Sequence, residues 1–350
     1  MLMEKVLFGN VKDKPVYKYT IKNGSGMTAE VINYGAILRK LRVPYEDRTI
    51  DVVLGYESLD AYTTTTCYYG ATVVPHANRI GGATYTLNGV TYELEKNDGN
   101  NSLHSGTKTL AKRVWKVTDY SENSITLAIE KPDMDLGFPG NLTVTVTYTL
   151  TDDNSLKIYY TGLSDKDTVF NPTNHTYFNL GGHKSGTILD HTLKLAADSF
   201  TWADSESIPH GEITPVKGTP MDFTTEKTVG QDIDADYDPL NWALGYDHNW
   251  IIRPDYNTEN ASEMIEFATL RSPKTGITMK MYTDLPGVQV YAGNYIVESE
   301  FGKGGIHYPK RGGICFETQF FPNAINVPSF PQPVIKAGEK FESTTIYKFE

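Results

Sequence analysis

Residues 142–151 read Leu-Thr-Val-Thr-Val-Thr-Tyr-Thr-Leu-Thr, a strict alternation of apolar side chains with threonine. Successive side chains of a β-strand point to opposite faces of the sheet, so this segment has one apolar and one polar face. Its β-branched and aromatic residues also favour an extended backbone. The pattern predicts a half-buried strand, and it is the clearest signal of secondary structure in the chain.

The same period of two recurs on both sides of this segment. The apolar positions are Ile125, Leu127 and Ile129 before it, and Leu156, Ile158 and Tyr160 after it. Residues 131–133 (Lys-Pro-Asp) and 151–154 (Thr-Asp-Asp-Asn) separate the three segments, and residues of these types favour turns. Three strands joined in series by short turns predict an antiparallel meander.

Strand signals extend from one end of the chain to the other. Alternation recurs in residues 17–21, 27–31, 277–281, 288–290 and 347–349. Helical periodicity is almost absent, and its best candidate, residues 107–113, is short enough to be a single turn. With 30 glycines and 18 prolines between short strands, the chain is predicted to be all-β, a large antiparallel β-sandwich. No linker, low-complexity segment or internal repeat interrupts it, so a single domain over residues 1–350 is predicted.

The charge balance narrows the class of partner. Lys and Arg number 32 against 43 Asp and Glu, which is a formal net charge of -11. Binding to nucleic acid depends largely on Lys and Arg that release counterions from phosphates, so this balance argues against it. The balance also disfavours an anionic membrane surface and gives no help in binding a sugar phosphate. A neutral small molecule fits the composition best.

Signals for targeting and for metal binding are missing. No apolar run approaches the roughly 18 residues of a membrane span, and the first residues do not resemble a signal peptide, so a cytoplasmic protein is expected. Cys67 and Cys315 form no CxxC motif and are expected to be buried thiols, and the histidines form no HExxH motif. The Asp-rich residues 231–238 lack the glycine and the terminal glutamate of an EF-hand loop. No metal is predicted.

Motifs for common cofactors are missing as well. The chain has no GxGxxG segment after a predicted strand, no Walker loop and no GxSxG elbow. Dinucleotide binding, phosphoryl transfer and serine-hydrolase chemistry therefore lack their usual signals, and no cofactor is predicted.

The first candidate for chemistry is His175, in a polar and aromatic run that ends in a double glycine. Its side chain type has an unperturbed pKa close to neutrality, so a partly enclosed histidine can give or take a proton. In an extended segment His175 and Tyr177 share a face, while Thr176 points to the other. On this evidence alone, a histidine among aromatic residues is more often structural than catalytic.

The second candidate is Glu317. If its segment is a strand, Ile314 and Phe316 point to one face, and Cys315, Glu317 and Gln319 point to the other. A carboxylate in so apolar a segment needs water, a substrate or a partner from elsewhere in the fold. The alternative is a residue that faces solvent at a sheet edge. His175 and Glu317 could converge on one cleft, but their spacing in the sequence does not decide this.

Three weaker segments carry groups suited to hydroxyl recognition. Asn78 and Arg79 precede a double glycine, His104 precedes another glycine, and Asp247 lies in a segment with two aromatic residues. A structural role is equally plausible for each of them on this evidence.

Taken together, the ordered motifs resemble the aldose 1-epimerase, or galactose mutarotase, family over nearly the whole chain. The matching segments are residues 33–36, 77–80, 103–104, 174–180, 208–213, 218–223, 246–248, 287–294 and 317–326. The resemblance implies a galactose mutarotase-like β-sandwich with its cleft on a concave sheet. It also implies a cofactor-independent isomerase that interconverts the α- and β-anomers of free hexoses such as galactose and glucose, acting as a monomer or homodimer.

The resemblance assigns roles to single residues. His175 matches the general acid of the family and Glu317 its general base. The substrate-binding positions that it implies are Asn78, Arg79, His104, Asp247 and Gln289, together with Thr176 and Tyr177 beside the acid. The chain departs from the family at Pro75-His76, where a Gly-Arg pair is usual, and this change could alter the cleft rim. The reference pKa of glutamate, about 4.3, predicts an ionised Glu317 that helps to keep His175 protonated.

Three other functions remain open at this stage. A non-catalytic carbohydrate-binding sandwich would explain the aromatic and hydroxyl-binding groups, but it has no need of an acid and a base. A hexose-6-phosphate 1-epimerase would need basic residues around the cleft. A glycosidase would need a second carboxylate, for which Asp247 is the only evident candidate. The preference between galactose and glucose is not visible in the sequence.

Overall fold

The structure, a computed structural model, describes residues 4–256, 263–297 and 301–350. Within these ranges the chain forms 28 β-strands, two short α-helices and five 3-10 turns. No helix in the described part of the chain is long and apolar enough to cross a membrane. Strands therefore dominate, as the alternation in the sequence predicts.

The strands of the first half are β1 Glu4–Val11, β2 Lys14–Lys22, β3 Thr28–Ile32, β4 Ile37–Tyr45, β5 Arg48–Asp51, β6 Ala71–Val73, β7 Arg79–Ile80, β8 Thr84–Leu87, β9 Val90–Glu93, β10 Ser102–Leu103, β11 Lys116–Tyr120, β12 Ser124–Lys131, β13 Leu142–Thr151, β14 Ser155–Ser164, β15 Thr168–Val169, β16 Thr173–His175 and β17 Tyr177–Phe178. Those of the second half are β18 Thr192–Leu195, β19 Ser199–Ala203, β20 Pro209–Pro215, β21 Lys227–Thr228, β22 Asp247–Ile251, β23 Ile265–Arg271, β24 Thr278–Thr283, β25 Gly287–Tyr291, β26 Ile314–Gln319, β27 Val334–Ile335 and β28 Lys340–Phe349. The helices are α1 Leu59–Thr64 and α2 Asp238–Ala243, and the 3-10 turns are Gly81–Ala83, Leu110–Lys112, Asp135–Gly137, Lys303–Gly305 and Ala324–Asn326.

The largest sheet has nine strands in the order β11-β12-β13-β14-β28-β24-β23-β18-β21. The alternating segment 142–151 is strand β13, which pairs with β14 along its whole length and with β12 over residues 142–149. Val146, for example, lies opposite Leu127 on one side and Tyr160 on the other. The predicted strand and the predicted antiparallel meander are confirmed.

The two faces of β13 differ as the alternation predicts. Val144, Val146 and Tyr148 are fully buried in the main core. On the opposite face, the Thr145 hydroxyl forms a 2.7 Å hydrogen bond with that of Thr161. Cross-strand pairs of this kind contribute roughly 0.2–1 kcal/mol each to sheet stability, so most of the stabilisation of β13 comes from its apolar face.

A second sheet packs face to face against the first. It has six strands in the order β17-β26-β25-β22-β19-β20. Ile314 and Phe316 of β26 are fully buried in the main core, and the Tyr347 hydroxyl of β28 donates a 3.0 Å hydrogen bond to the Phe316 carbonyl. The predicted antiparallel β-sandwich is confirmed. The other face of this six-stranded sheet carries Cys315 and Glu317, and it positions the candidate site.

The remaining strands form smaller units around the two large sheets. Strands β1 to β5 form a five-stranded sheet in chain order, and β6 pairs with β16, β7 with β10, β8 with β9 and β15 with β27. Residues 107–113 contain only the 3-10 turn Leu110–Lys112, so this segment holds a single turn rather than an α-helix. The main core cluster draws on residues from Tyr19 to Phe349. The single domain over residues 1–350 stays a prediction.

Candidate active site

A cavity of about 240 Å³ opens on the polar face of the six-stranded sheet. It is lined by Thr66, Cys67, Tyr68, Asn78, Arg79, Leu103, His104, His175, Tyr177, Asp247, Tyr291, Tyr295 and Glu317. Seven of these side chains come from the set of nine site residues predicted from the sequence. Thr176 and Gln289, the other two, do not line it.

Regular strand pairing in the six-stranded sheet positions the residues of one part of the cavity wall. Asp247, Tyr291, Cys315 and Tyr177 form a row of direct neighbours across β22, β25, β26 and β17. Glu317 lies two residues after Cys315 on β26, so the two side chains share a face. Period-two alternation therefore places Glu317 in the interior of the sheet, where it is 2% exposed, and the alternative of an edge residue facing solvent is wrong.

The opposite part of the wall comes from two short turns. Asn78 and His104 both have left-handed backbones, with φ of 62° and 51°. Their main chains are tied together, since the His104 N–H donates to the Asn78 carbonyl and the Asn78 N–H donates to His104 Nδ1, both at 3.1 Å. Such backbones cost about 1–3 kcal/mol each and cluster at functional sites.

These contacts determine the protonation of His104. Because Nδ1 accepts the Asn78 N–H, the hydrogen of the neutral ring must sit on Nε2. Burial, followed by the neighbouring His175 and Arg79, lowers the pKa of His104 well below its ordinary value. His104 is therefore a neutral hydrogen-bond donor at physiological pH.

His175 and Glu317 converge at the floor of the cavity. Their Nε2 and Oε1 atoms are 3.5 Å apart, and both side chains are at least nine-tenths buried. The sequence suggested that an imidazole and a carboxylate could meet in one cleft. The structure brings them side by side rather than to opposite walls.

Burial reverses the protonation that the reference pKa values predict for this pair. It lowers the pKa of His175 to about 4. It also raises the pKa of Glu317 well above its ordinary value, and the nearby Asp247 adds to this while Arg79 opposes it. Both shifts run against the predicted ionised Glu317 beside a charged His175. They favour a neutral imidazole and a proton on the carboxyl group.

Three tyrosine rings surround the His175 imidazole. Tyr177 stacks on it at a centroid distance of 5.0 Å and Tyr68 at 5.7 Å, and Tyr291 meets it edge-on at 6.0 Å. These rings hold the imidazole in one orientation and can stabilise its cationic form. Tyr68 and Tyr291 were not predicted as site residues. Tyr291 was detectable from the alternation of β25, since it shares a face with Gln289, whereas Tyr68 lies in no periodic segment.

An ion pair and a hydrogen bond fix the two charged side chains on the polar side of the cavity, Arg79 and Asp247. Arg79 Nε lies 2.7 Å from a carboxylate oxygen of Asp98, and Gln289 Nε2 donates a 2.7 Å hydrogen bond to Asp247 Oδ1. Burial raises the pKa of Asp247, while Arg79 and the bond from Gln289 oppose that shift. Gln289 lies directly opposite Glu317 in the strand pairing and orients Asp247, although it does not line the cavity itself. Its predicted contact with the substrate stays a prediction.

Thr176 is not brought to the cavity. Its hydroxyl donates to the side-chain oxygen of Asn174, away from the cavity lining. The reason is the alternation of the extended backbone, which turns His175 and Tyr177 towards the cavity and the residue between them away from it. Its contribution can only be indirect.

Cys67 differs from the expectation that both thiols are buried. Cys315 is fully buried, but Cys67 is only partly buried and lines the cavity. Residues 65–70 follow helix α1, which the sequence did not predict, and this segment places the thiol and Tyr68 at the cavity.

The departure at Pro75-His76 lies behind the cavity rather than at its rim. The His76 N–H donates to the Ser105 hydroxyl, which donates back to the His76 carbonyl, both at 2.9 Å. The His76 ring stacks near Phe138, at a centroid distance of 6.5 Å, and is 1% exposed. This residue therefore supports the turn that contains His104 and does not touch the space where a ligand would bind.

His104, His175 and Glu317 also form a cluster in which potential ligand atoms lie within 4.8 Å of one another. Two histidines and a carboxylate can bind a divalent cation. His104 is unsuited to this, because one of its nitrogens accepts a backbone N–H and the other carries the hydrogen. The donor set does not fit a resident metal, and the absence of a metal requirement stays a prediction.

Sequence comparison identifies relatives of this chain. The family profile described as aldose 1-epimerase matches residues 17–348. A galactose mutarotase from Bos taurus is 37% identical over 324 residues, which cover 92% of this chain and 91% of that protein. An aldose 1-epimerase from Haemophilus influenzae is 36% identical over 353 residues, which cover all of both chains.

Solved structures show the same architecture. An aldose epimerase homologue from C. elegans superposes with a TM-score of 0.85 at 28% identity, covering 100% of this chain and 99% of its own. A galactose 1-epimerase from Lactobacillus acidophilus gives the same TM-score, identity and coverage. The fold is therefore of the galactose mutarotase type, and the relatives identify the chain as an isomerase. This chain belongs to the aldose 1-epimerase family.

Proposed function

We propose that this enzyme interconverts the α- and β-anomers of free aldohexoses such as galactose and glucose, with His175 and Glu317 as the proton-transfer pair. The observation that carries the proposal is the 3.5 Å approach of these two groups at the floor of a cavity lined with hydrogen-bonding side chains. The names of the relatives, galactose mutarotase and aldose 1-epimerase, support the same reaction.

The chemistry explains why two adjacent groups suit this reaction. Ring opening removes a proton from the anomeric hydroxyl and adds one to the ring oxygen, and both oxygens are bonded to the same carbon, C1. An acid and a base must therefore reach two neighbouring oxygens at once. A pair whose own atoms lie 3.5 Å apart matches that requirement, whereas groups on opposite walls would not.

One proton on the pair is enough for the whole cycle. In the ion-pair form, Glu317 takes the proton of the anomeric hydroxyl while His175 gives one to the ring oxygen, which leaves an open-chain aldehyde, a neutral imidazole and a protonated carboxyl group. After rotation about the C1–C2 bond, the same transfers in reverse close the ring on the other face of C1. Arg79 lowers the pKa of Glu317, and sugar hydroxyls that donate to the carboxylate would lower it further, so both favour the ion-pair form.

The remaining wall residues hold the sugar. Asn78 Oδ1 already accepts the Arg79 N–H at 2.8 Å, so its amide nitrogen is left to donate. His104 donates from Nε2, Arg79 donates, and Asp247 accepts, which is the mixture of donors and acceptors that neutral hydroxyls need. Their effect is to place C1 and the ring oxygen against the catalytic pair, a positioning effect.

The rival functions fit the cavity less well. Among the side chains that line it, Arg79 is the only permanent cation; it is already paired with Asp98, and Asp247 and Glu317 lie close by. A hexose 6-phosphate, with its dianionic group, would meet little positive charge there. A non-catalytic sugar-binding protein would have no use for a buried pair that shares one proton, which raises the energetic cost of the site.

The finer predictions on partners and location belong to this proposal. We propose that the substrate is a neutral free aldose, that the enzyme works in the cytoplasm, and that it is a monomer or a homodimer within a single domain. Sedimentation velocity at several protein concentrations would determine the oligomeric state.

The direct test is polarimetry on freshly dissolved α-D-glucose and α-D-galactose. We expect the wild-type protein to accelerate the change in optical rotation towards equilibrium. The isosteric variant Glu317→Gln should lose roughly 10²- to 10⁴-fold in rate, because one positioned proton-transfer group is removed. A Glu317→Gln variant with near-normal rates would refute the role of this carboxyl group, and an inactive wild type would refute the function.

A further inference from the structure

A single strand contacts both ring nitrogens of His175. Cys315 Sγ lies 3.4 Å from Nδ1, and Glu317 Oε1 lies 3.5 Å from Nε2. The two residues are i and i+2 on β26, so they share the face that meets the imidazole edge. The contact at Nε2 belongs to the proposed proton-transfer pair, whereas the contact at Nδ1 takes no part in the proton transfers themselves.

The proton transfers place a condition on Nδ1. If His175 gives a proton to the ring oxygen from Nε2, the neutral ring that remains must keep its hydrogen on Nδ1. The other tautomer would carry the hydrogen on Nε2 and could not take a proton back there. A hydrogen-bond acceptor at Nδ1 favours the required tautomer, and Cys315 Sγ occupies that position.

We propose that Cys315 is a positioning residue, which accepts the Nδ1–H of His175 and so keeps Nε2 as the atom that exchanges its proton with the substrate. This inference rests on the proposed mutarotase function. The same arrangement places the Glu317 carboxyl group at Nε2 and the thiol at Nδ1, on opposite sides of one imidazole. The thiol takes no part in bond making or breaking.

The thiol suits this position better than a carboxylate would. Cys315 is 0% exposed, and burial raises its pKa well above the ordinary value, with Glu317 adding to the shift, so it remains a neutral thiol. A carboxylate at Nδ1 would hold His175 in its charged form and oppose release of the proton. A neutral sulfur acceptor selects the tautomer without adding charge, and Glu317 alone supplies the negative charge of the pair.

The fixed placement of the ring makes this contact selective. Tyr177 and Tyr68 both stack on the His175 ring, so a rotation of the ring that moves Nδ1 away from the sulfur would disrupt both stacking contacts. Cys315 is itself held between Tyr177 and Tyr291 in the strand register. Both partners of the sulfur contact are therefore constrained by the fold.

The first test reads the tautomer directly. In ¹⁵N-histidine-labelled wild-type protein without sugar, long-range ¹H–¹⁵N correlation spectra at neutral pH should show His175 as the Nδ1–H tautomer. A His175→Gln variant assigns the signal by its disappearance. An Nε2–H tautomer in the wild type would overturn the proposal outright, whether or not the protein catalyses mutarotation, so the two hypotheses fail separately.

The second test uses variants at Cys315. Cys315→Ala removes the acceptor and should shift His175 towards the Nε2–H tautomer and lower kcat roughly 10- to 100-fold, the usual effect of losing a group that orients a functional histidine, with KM little changed. Cys315→Ser keeps an acceptor and should recover most of the rate. If Cys315→Ala does not fold, Cys315→Val fills the site without an acceptor and should show the same loss.

Ile314→Val serves as the matched control, since it removes a buried group from the opposite face of the same strand. It should leave both kcat and the tautomer unchanged. Wild-type kcat and an unchanged tautomer in folded Cys315→Ala or Cys315→Val would show that the sulfur contact is only packing and would overturn the proposal.

Discussion

The polar faces of β13 and β26 arise from the same alternation of side chains but differ in how their polar groups are satisfied. On β13, Thr145 and Thr147 pair with hydroxyls of the neighbouring strands at 2.7 and 2.9 Å. On β26, Glu317 and Gln319 are at most 2% exposed, and Glu317 Oε2 and both polar atoms of Gln319 have no hydrogen-bond partner among the described residues. The threonine hydroxyls of β13 thus have hydrogen-bond partners on neighbouring strands, whereas several polar atoms of β26 have none among the described residues.

The difference separates a structural surface from a functional one. Neutral hydroxyls that satisfy one another cost little and stabilise the sheet. A buried polar group without a partner costs about 1–3 kcal/mol, so a cluster of them persists where a ligand or water supplies the missing bonds. The candidate site therefore lies on the more deeply buried of the two polar faces.

The largest expected effect is on catalysis and concerns the buried pair that includes Glu317 of β26. His175→Ala removes the imidazole from the buried pair and should lower kcat/KM for mutarotation roughly 10²- to 10⁴-fold. Polarimetry gives the rate, and circular dichroism confirms that the β-sandwich is retained. If the folded variant kept most of the wild-type rate, the polar face of β26 would not be the catalytic surface.

The second-largest expected effect is on stability and concerns the apolar core beside β13. Leu127→Ala truncates a fully buried side chain opposite Val146 and should lower the free energy of unfolding by about 2–5 kcal/mol, because it leaves a cavity in the main core. The activity per folded molecule should not change, since Leu127 does not line the cavity. Urea denaturation measures the first quantity and polarimetry the second. A large fall in specific activity would contradict the separation of the two faces.

A smaller effect on substrate binding concerns Gln289, which orients Asp247. Gln289→Leu removes the 2.7 Å hydrogen bond to Asp247, and bonds to charged groups contribute about 1.5–3 kcal/mol. Asp247 would then be less well oriented towards the sugar, so we expect KM to rise roughly 10- to 100-fold with a smaller change in kcat. Initial rates over a range of sugar concentrations separate the two constants. A fall in kcat alone would indicate that Gln289 acts on the proton-transfer pair instead.

The pH dependence tests the shared proton. The proposed mechanism needs one free proton acceptor on the pair, and His175, with its pKa lowered to about 4 by burial, provides it. We expect kcat/KM to change little from neutrality to about pH 5 and to fall below it, halving near pH 4 as the imidazole gains a second proton for the pair. An acid limb near pH 6.5, the ordinary value for histidine, would contradict the effect of burial.

Folding has its own pH dependence and must be followed in the same samples. His183 and His248 also have pKa values lowered to about 4 by burial, whereas they bind protons near pH 6.5 in the unfolded chain. The unfolded state therefore binds more protons in this range, and stability falls as the pH decreases from about 6.5 to about 4. Circular dichroism at each pH distinguishes unfolding from the loss of the acceptor.

The smallest expected effect is on stability and concerns the polar face of β13. Thr145→Val removes one hydroxyl from the polar face of β13, where it bonds to the Thr161 hydroxyl. The change in the free energy of unfolding should be below about 1 kcal/mol, since valine keeps the strand preference of threonine. Catalysis should be unaffected. A marked loss of activity would show that the outer face of the nine-stranded sheet contributes to the site.

The sequence by itself determined the class of the fold and the facing of the main strands. Alternation in β13 and β26 identified which side chains are apolar and which are polar, because the period of a strand is a local property of the backbone. The motifs that resemble the aldose 1-epimerases identified seven side chains that do line the cavity. Their roles as acid, base and sugar ligands remain predictions.

Only the tertiary structure decided how these residues act on one another. His175 and Glu317 come from strands 142 positions apart in the chain, and nothing local fixes their 3.5 Å approach or the sulfur contact at Nδ1. The same holds for the hydrogen bond from Gln289 to Asp247 and for the placement of Tyr68 over the imidazole. The protonation of the pair reversed the sequence-based expectation for a similar reason, since a pKa depends on how completely the fold removes a group from water and on which charges it brings near.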